Sequence, residues 1–336
     1  MYIIKRLAYY INKHAILILM ILICITSGFL FWVQREEANV FISKPRYHFY
    51  LIAQNSVDPF WKELKLGLEA AAREQKVVVE FNAPRFNNPQ EELRFLDIAV
   101  TSEVDGIITH VSSDSDFTEL INKAVGKGIP VVTLENDDKN SDRNSFVGTN
   151  SFELGKAAAE LMIMATAGRA NIAVIVSNDL ELDSTIQNLK MNGFLSTLKG
   201  FPEMKVVRTY TSKMGILSAE EITQQIISGQ DNINAIFTTS SVDTIGSAQL
   251  VVDRNKVGSI AIVGYGDTED ILRYISKDII YGTVMSDPYK MGYESINALI
   301  DIKEKNNVST FIDTGVKVIT KENVDEYMKK SDTMKE

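Results

Sequence analysis

The sequence predicts an α/β fold with two lobes, preceded by one transmembrane helix. From residue 46 onward, short runs rich in β-branched and aromatic residues alternate with longer helical patterns, which is typical of parallel sheets covered by helices on both faces. About ten strands would make an unusually large single sheet, so we expect two sheets in two lobes. A long run without charged residues near the N-terminus predicts the membrane helix.

The predicted membrane helix extends from Ala15 to Val33, and as a helix it would be about 28 Å long, close to the thickness of a bilayer core. Basic residues precede it, whereas Glu36 and Glu37 follow it, so the positive-inside rule places residues 1–14 in the cytoplasm. Residues 34–45 would then be an extracytoplasmic linker. A cleaved signal peptide remains the alternative, because the small residues of Thr26–Gly28 occur late in the run.

The strands of the two sheets are predicted from their composition and from the turn-forming residues between them. The expected strands are Tyr47–Ala53, Val77–Phe81, Gly106–His110, Ile129–Leu134, Asn171–Val176, Lys205–Tyr210, Ala235–Thr239, Ile260–Gly264, Gly282–Ser286 and Phe311–Val318. We place the seam between the lobes near Phe146–Asn150, where a new alternating series begins. The chain is expected to end in a polar tail, residues 323–336.

Composition excludes several classes of function for these 336 residues. The net charge of -9, without a basic block, argues against binding to nucleic acid. The single cysteine, Cys24, excludes an intrachain disulfide, and the residues before it lack the small side chain of a bacterial lipoprotein site. Three separated histidines make a metal site improbable. No dinucleotide, P-loop, zinc-protease or hydrolase motif occurs, so we predict a protein without cofactor or enzymatic activity.

A candidate pocket begins where the first predicted strand ends. Asp58 followed by Pro59 is typical of a helix N-cap, and Phe60 and Trp61 come directly after it. The carboxyl ends of strands in open α/β sheets are where small ligands bind. A carboxylate beside aromatic faces suits a sugar, which offers hydroxyl groups at its edge and C–H groups on its faces. The alternative is that Asp58 only caps the helix and that both aromatics belong to the core.

The order and spacing of several segments resemble the periplasmic sugar-binding proteins of the ribose, galactose and xylose group, which have the type I periplasmic-binding-protein fold. The segments that carry the resemblance are Ser56–Leu64 with Gly67, Val104–Ile108, Gly128–Leu134, Val147–Asn150 with Gly155, Asn192–Phe194, Ala235–Thr238 and Ile262–Tyr265. The resemblance implies two Rossmann-like lobes joined by a three-strand hinge. The first would contain residues 46–150 and 287–311, and the second residues 151–286 and 312–322.

The resemblance also implies a set of ligand-binding residues. Asp58, Phe60 and Trp61 match the family's Asn-Pro-Phe-Phe segment, and Glu135–Asn136 stands where the family has an Asp-Arg pair. A second family arginine aligns with Asn188. A family asparagine aligns with Ser240, and a family aspartate aligns with Gly266, next to Asp267. A family glutamine aligns with Ser286 or its neighbour Asp287, and Met214 completes the predicted set.

Both sugar-binding arginines are therefore absent from the aligned positions, which removes the bidentate contacts that they make with hydroxyl groups. The architecture looks like that of membrane-anchored sugar sensors, including xylose sensors, that pair with a LytS-type histidine kinase. The first hypothesis is accordingly a sensor of a pentose such as xylose that signals through such a kinase. An anchored binding subunit of an ABC importer, acting with a permease, is the second hypothesis. A ligand-free interaction module is the third.

Overall fold

The computed structural model describes residues 14, 19–30, 45–112, 114–177, 184–213 and 215–333. The chain divides into two compact units, residues 1–46 and 47–336. In the first unit, residues 19–30 are helical. Within the described ranges, no helix combines the length and the apolar composition that crossing a bilayer requires. The predicted membrane helix and linker fall partly outside these ranges, as does the polar tail, and Met214 falls wholly outside them.

The first sheet of the second unit has the strand order β11-β5-β4-β3-β1-β2, and all its neighbouring strands are parallel. Its strands are β1 (His48–Ile52), β2 (Val78–Asn82), β3 (Gly106–Thr109), β4 (Val131–Leu134), β5 (Ser145–Gly148) and β11 (Phe311–Asp313). The helices on its faces are α1 (Pro59–Gln75), α2 (Pro89–Thr101), α3 (Asp114–Gly126) and α9 (Pro288–Lys305). The sheet and these helices form the first lobe.

The second sheet has the order β12-β10-β9-β8-β6-β7 and is parallel except for β12, which runs antiparallel to β10. Its strands are β6 (Ala170–Ser177), β7 (Met204–Ser212), β8 (Ala235–Thr238), β9 (Ala261–Tyr265), β10 (Gly282–Met285) and β12 (Lys317–Thr320). The accompanying helices are α4 (Ser151–Thr166), α5 (Ser184–Leu198), α6 (Ile216–Ser228), α7 (Ser241–Asp253), α8 (Glu269–Ser276) and α10 (Val324–Thr333). The predicted α/β fold with two largely parallel sheets is confirmed.

Two strand predictions differ from the structure. The region predicted as one strand, Phe311–Val318, is two strands that belong to different sheets. Gly315 lies between them with φ +80°, and its N–H donates to the Asp313 carboxylate, so the chain turns where the pattern suggested continuity. The second difference is β5, which lies where the sequence predicted only the seam between the two lobes. It has just four residues, and two of them are serine and glycine, so its apolar signal is weak.

Each sheet has an apolar core on both faces. In the second lobe, α4 and α5 pack with their backbones almost in contact. A Cβ atom on Gly155 would lie 1.8 Å from the carbonyl oxygen of Lys190, and one on Gly193 would lie 2.0 Å from that of Phe152. These two glycines therefore set how closely α5 approaches α4, and with it the position of the residues that α5 carries.

Candidate functional site

The two lobes enclose a cleft at the carboxyl ends of their strands. The cavity has a volume of about 1100 Å³ and is lined by loops and helix starts of both lobes. Six of the residues predicted for the pocket line it, and these are Asp58, Phe60, Trp61, Glu135, Asp267 and Ser286. A cleft at this edge of two parallel sheets is where α/β proteins bind small ligands.

Asp58 is the N-cap of α1, as its sequence context predicts. Its carboxylate accepts a hydrogen bond from the N–H of Phe60 at 2.9 Å. Asn55 holds the preceding turn, because its side-chain oxygen accepts from the N–H groups of Val57 and Asp58 and its amide nitrogen donates to Asn87. The exposed carboxylate therefore stands on a braced turn at the wall of the cleft.

The two aromatics after this cap differ in burial. Phe60 is partly buried and lines the cleft, whereas the side chain of Trp61 is only 2% exposed and belongs to the core of the first lobe. The Trp61 ring meets the rings of Phe60 and His110 edge-on, with centroid distances of 5.1 and 5.4 Å. The broad face available for stacking with a ligand is consequently that of Phe60.

Glu135 directly follows β4 and has a left-handed backbone conformation, with φ +64°. A non-glycine residue in this conformation is often found at a functional site. Burial raises the pKa of the Glu135 carboxyl, and the neighbouring His110 and Lys190 act in the opposite direction. In the part of the chain that the structure describes, the Glu135 carboxylate has no hydrogen bond or ion pair. It therefore retains its capacity to accept hydrogen bonds from a ligand.

The neighbouring Asn136 is directed into the lobe instead of the cleft. Its side-chain nitrogen donates to Nε2 of His110 at 3.2 Å and to the carbonyl of Val111 at 3.4 Å. Because Nε2 accepts, the proton of the imidazole lies on Nδ1, which is 3.1 Å from the fully buried carboxylate of Glu92. This buried network holds the turn that carries Glu135.

Lys190, which was not among the predicted site residues, carries a positive charge that acts on Glu135. Its side chain is 5% exposed, and Nζ lies 4.7 Å from the centroid of the Tyr265 ring and 3.5 Å from the carbonyl oxygen of Thr239. Burial lowers the pKa of Lys190 to about 8, although the charge of Glu135 acts in the opposite direction. The second lobe thus holds a buried ammonium group against Tyr265, a residue of the cleft wall, although Lys190 itself is not among the residues that line the cavity.

The family resemblance aligned an arginine with Asn188, which is exposed. Positions 188 and 190 are about 200° apart around a helix, so they lie on opposite faces of α5. The buried face carries Lys190. The signal that could have identified it is the basic side chain three residues before Gly193, since the close packing of Gly193 against α4 fixes which face of α5 is buried.

Of the other predicted residues in the second lobe, some line the cleft and others do not. Ser286 and Asp267 line the cleft beside Tyr265, whose pKa burial raises to about 12. Ser240 instead caps α7 through Asp243, and its neighbour Ser241 lines the cavity.

Asp287 also has a structural position, at the start of α9. It caps that helix and pairs with Lys317 at 2.9 Å. Lys317 lies on β12 and also contacts Glu63 of α1 at 3.3 Å, so this ion-pair cluster connects the lobes at the hinge. Asn136, Asn188, Ser240 and Asp287 therefore do not line the cleft, and Met214 lies outside the described residues.

Comparisons with known proteins agree with this architecture. The model of the periplasmic binding protein domain family matches residues 49–307. The D-allose-binding periplasmic protein of Escherichia coli (strain K12) is 21% identical over 259 residues, which cover 75% of this chain and 83% of that protein.

Two solved structures are also similar. A XylFII–LytSN complex has a TM-score of 0.68 and 33% identity, covering 82% of this chain and 98% of that one. A sugar-binding protein of a sugar ABC transporter from Bacillus halodurans has a TM-score of 0.78 and 27% identity, covering 84% of this chain and 100% of that one.

Proposed function

Because this chain belongs to the periplasmic binding protein domain family, we propose that it binds a monosaccharide in the cleft between its lobes, outside the cytoplasm. The observation that carries this proposal is the electrostatic interaction between Glu135, which lines the cleft from the first lobe, and the buried ammonium group of Lys190 in the second lobe. A carboxylate only accepts hydrogen bonds and an ammonium group only donates them. A sugar hydroxyl does both, so one hydroxyl can bridge the two groups and link the lobes.

The site departs from the arginine pattern that the family resemblance implies. Lysine is a compact charge on a flexible stem, whereas arginine offers a rigid fork of donors. A single ammonium group therefore fixes the orientation of a sugar less strictly. Phe60 offers an apolar face for the C–H groups of the ring, and Asp58, Asp267 and Ser286 supply further polar atoms at the cleft wall.

Residues 15–33 are proposed to hold the binding unit at the outer face of a membrane. The charge pattern on either side of this run supports an N-terminus in the cytoplasm. Protease added to intact cells is expected to cleave the part of the chain beyond residue 34. Full protection from the protease would contradict this topology.

The proposed role is that of a sensor that regulates a LytS-type histidine kinase in the membrane. The 33% identity to XylFII in its complex with LytSN supports this partner, and a pentose such as xylose is the favoured ligand. A sugar shifts the equilibrium between open and closed lobes only by its differential affinity for the closed form. Closure would then change the surface that both lobes present to the kinase.

The alternative is an anchored binding subunit of an ABC importer. The similarity to the sugar-binding protein of a Bacillus halodurans sugar ABC transporter favours this alternative. Reconstitution in liposomes distinguishes the two roles: a sensor changes kinase autophosphorylation when D-xylose is added, and an importer subunit stimulates ATP-driven uptake by a permease.

Binding itself is tested by thermal unfolding of the full chain in detergent with D-xylose, D-ribose, L-arabinose, D-allose, D-glucose and D-galactose. A ligand at a hundredfold excess over its Kd stabilises the folded state by about 2.7 kcal/mol, which shifts the melting temperature measurably. We expect at least one of these sugars to raise it. If none does, the chain is not a receptor for these sugars, and the ligand-free interaction module becomes the better account.

A further inference from the structure

The side-chain amide of Gln187 is buried, with only 8% of the residue exposed. Among the residues that the structure describes, neither Nε2 nor Oε1 has a hydrogen-bond partner. Native proteins rarely leave both polar ends of a buried amide unpaired, since each loses its hydrogen bonds to water on folding. A ligand that supplies a donor and an acceptor would remove this deficit.

The position of Gln187 points to the ligand cleft. In a parallel β-α-β unit the helix begins at the edge where the preceding strand ends, and in this lobe that edge faces the cleft. Gln187 lies near the start of α5, three residues before Lys190, so both side chains lie on one face of the helix. Lys190 interacts electrostatically with Glu135, and Gln187 lies one turn nearer to the N-terminal end of α5.

We infer that Gln187 forms hydrogen bonds with a second hydroxyl of the sugar, next to the hydroxyl that Lys190 and Glu135 hold. The inference rests on the proposed function and makes it more specific. Residues three apart on a helix are about 5–6 Å apart at their Cβ atoms, so their longer side chains can converge on hydroxyls of adjacent ring carbons. The preferred ligand is therefore a monosaccharide with a free vicinal diol at this wall.

This arrangement makes Gln187 a specificity-determining residue. A site that is built to pair with a hydroxyl strongly rejects an analogue that lacks it, because its own buried polar group then stays unpaired. Removing the amide should weaken sugar binding but should not destabilise the ligand-free protein. Gln187→Leu eliminates two unpaired polar atoms, so its melting temperature without sugar should equal or exceed that of the wild type.

The test measures the Kd of the full chain in detergent for the best-binding sugar of the panel above and for each of its monodeoxy analogues. In the wild type, one analogue should bind at least about 30-fold more weakly than the parent sugar. In Gln187→Leu, the parent sugar should lose a similar factor, whereas that one analogue should bind as it does to the wild type.

Gln224→Leu is the matched control. Gln224 lies on α6, and its Oε1 is also buried without a partner in the described part of the chain, but it lines a separate groove with residues such as Glu220 and Arg254. This variant should keep the wild-type affinity for every sugar.

Either of two results would overturn this inference and leave the proposed function intact. One is an unchanged affinity of Gln187→Leu for the parent sugar, and the other is an equal loss of affinity for the parent sugar and for all its analogues. Failure of every sugar to bind the wild type would overturn the proposed function and, with it, this inference.

Discussion

Glu135 of the first lobe and Lys190 of the second lobe each influence the ionisation of the other across the cleft, yet they form no ion pair. Within the described residues, the ligand-free protein therefore holds a buried positive charge without a direct carboxylate partner. Desolvation of the ammonium group should therefore oppose stability in the open form, and a sugar should offset part of that cost.

The pKa of Lys190 predicts opposite pH dependences for stability and for binding. Its pKa in the folded protein is about 8, below its usual value of 10.5, so between these values the unfolded chain binds more protons than the folded chain. Stability of the ligand-free protein should consequently rise with pH in this window. Sugar affinity should fall as the pH passes about 8, because the ammonium donor is lost. Thermal unfolding and calorimetric titration at a series of pH values measure both trends, and trends of the same sign would contradict the assignment.

Lys190→Met should separate the two effects. Removing a buried charge should leave the ligand-free protein as stable as the wild type or more stable. Sugar affinity should decrease by about 10- to 150-fold, since a hydrogen bond to a charged group contributes about 1.5–3 kcal/mol. The exposed Lys199 on the same stretch of chain provides the control, and Lys199→Met should change neither quantity. Wild-type affinity in Lys190→Met would remove this residue from the site.

The two aromatics of α1 should respond differently to truncation. Trp61→Ala removes a ring that is 2% exposed and should lower the free energy of unfolding by about 3–5 kcal/mol. Phe60→Ala should have a smaller effect on stability but a larger effect on sugar affinity per folded molecule, because its ring lines the cleft. Denaturant unfolding and titration of the folded fraction measure the two effects. The reverse ranking would show that Trp61 forms the stacking surface.

The contact of α4 with α5 should be sensitive to a single methyl group. Gly155→Ala would place a Cβ atom 1.8 Å from the carbonyl oxygen of Lys190, so the helices must separate. We expect a loss of about 1–3 kcal/mol in stability together with weaker sugar binding, because α5 carries Lys190. Gly126→Ala is the control, since a Cβ atom there meets nothing within 4 Å. Equal effects of the two substitutions would refute a positioning role for this contact.

The sequence predicted the fold better than the site. Alternation of apolar strands with amphipathic helices identified most of both sheets, because burial on both faces of a parallel sheet produces continuous apolar runs. The short strand β5 and the turn at Gly315 escaped this method, since four residues carry little periodicity and a hydrophobic pattern does not record a change of sheet.

A cap and a strand end led to Asp58 and Glu135, which the structure places at the cleft wall, and their role in ligand binding stays a prediction. On α5 the sequence pointed to a different face of the helix. A displacement of two residues in alignment moves a side chain to the opposite face, so Asn188 was chosen although Lys190 is the buried residue that contacts Tyr265. Gln187 was missed because its lack of a partner is a property of the packed structure that no sequence pattern contains.

The central claim is that a sugar bridges Glu135 and Lys190 and thereby closes the lobes. The most direct test is a pulsed-EPR distance measurement between nitroxide labels on Gln90→Cys in α2 and Gln225→Cys in α6, both exposed positions, in a Cys24→Ser background. The full chain in detergent is measured with and without a saturating concentration of the sugar that binds best. We predict that the distance changes to that of a closed form in the wild type, and that Lys190→Met keeps the open distance even when its sugar site is filled. An unchanged distance in sugar-bound wild type, or the same closure in Lys190→Met, would contradict the account.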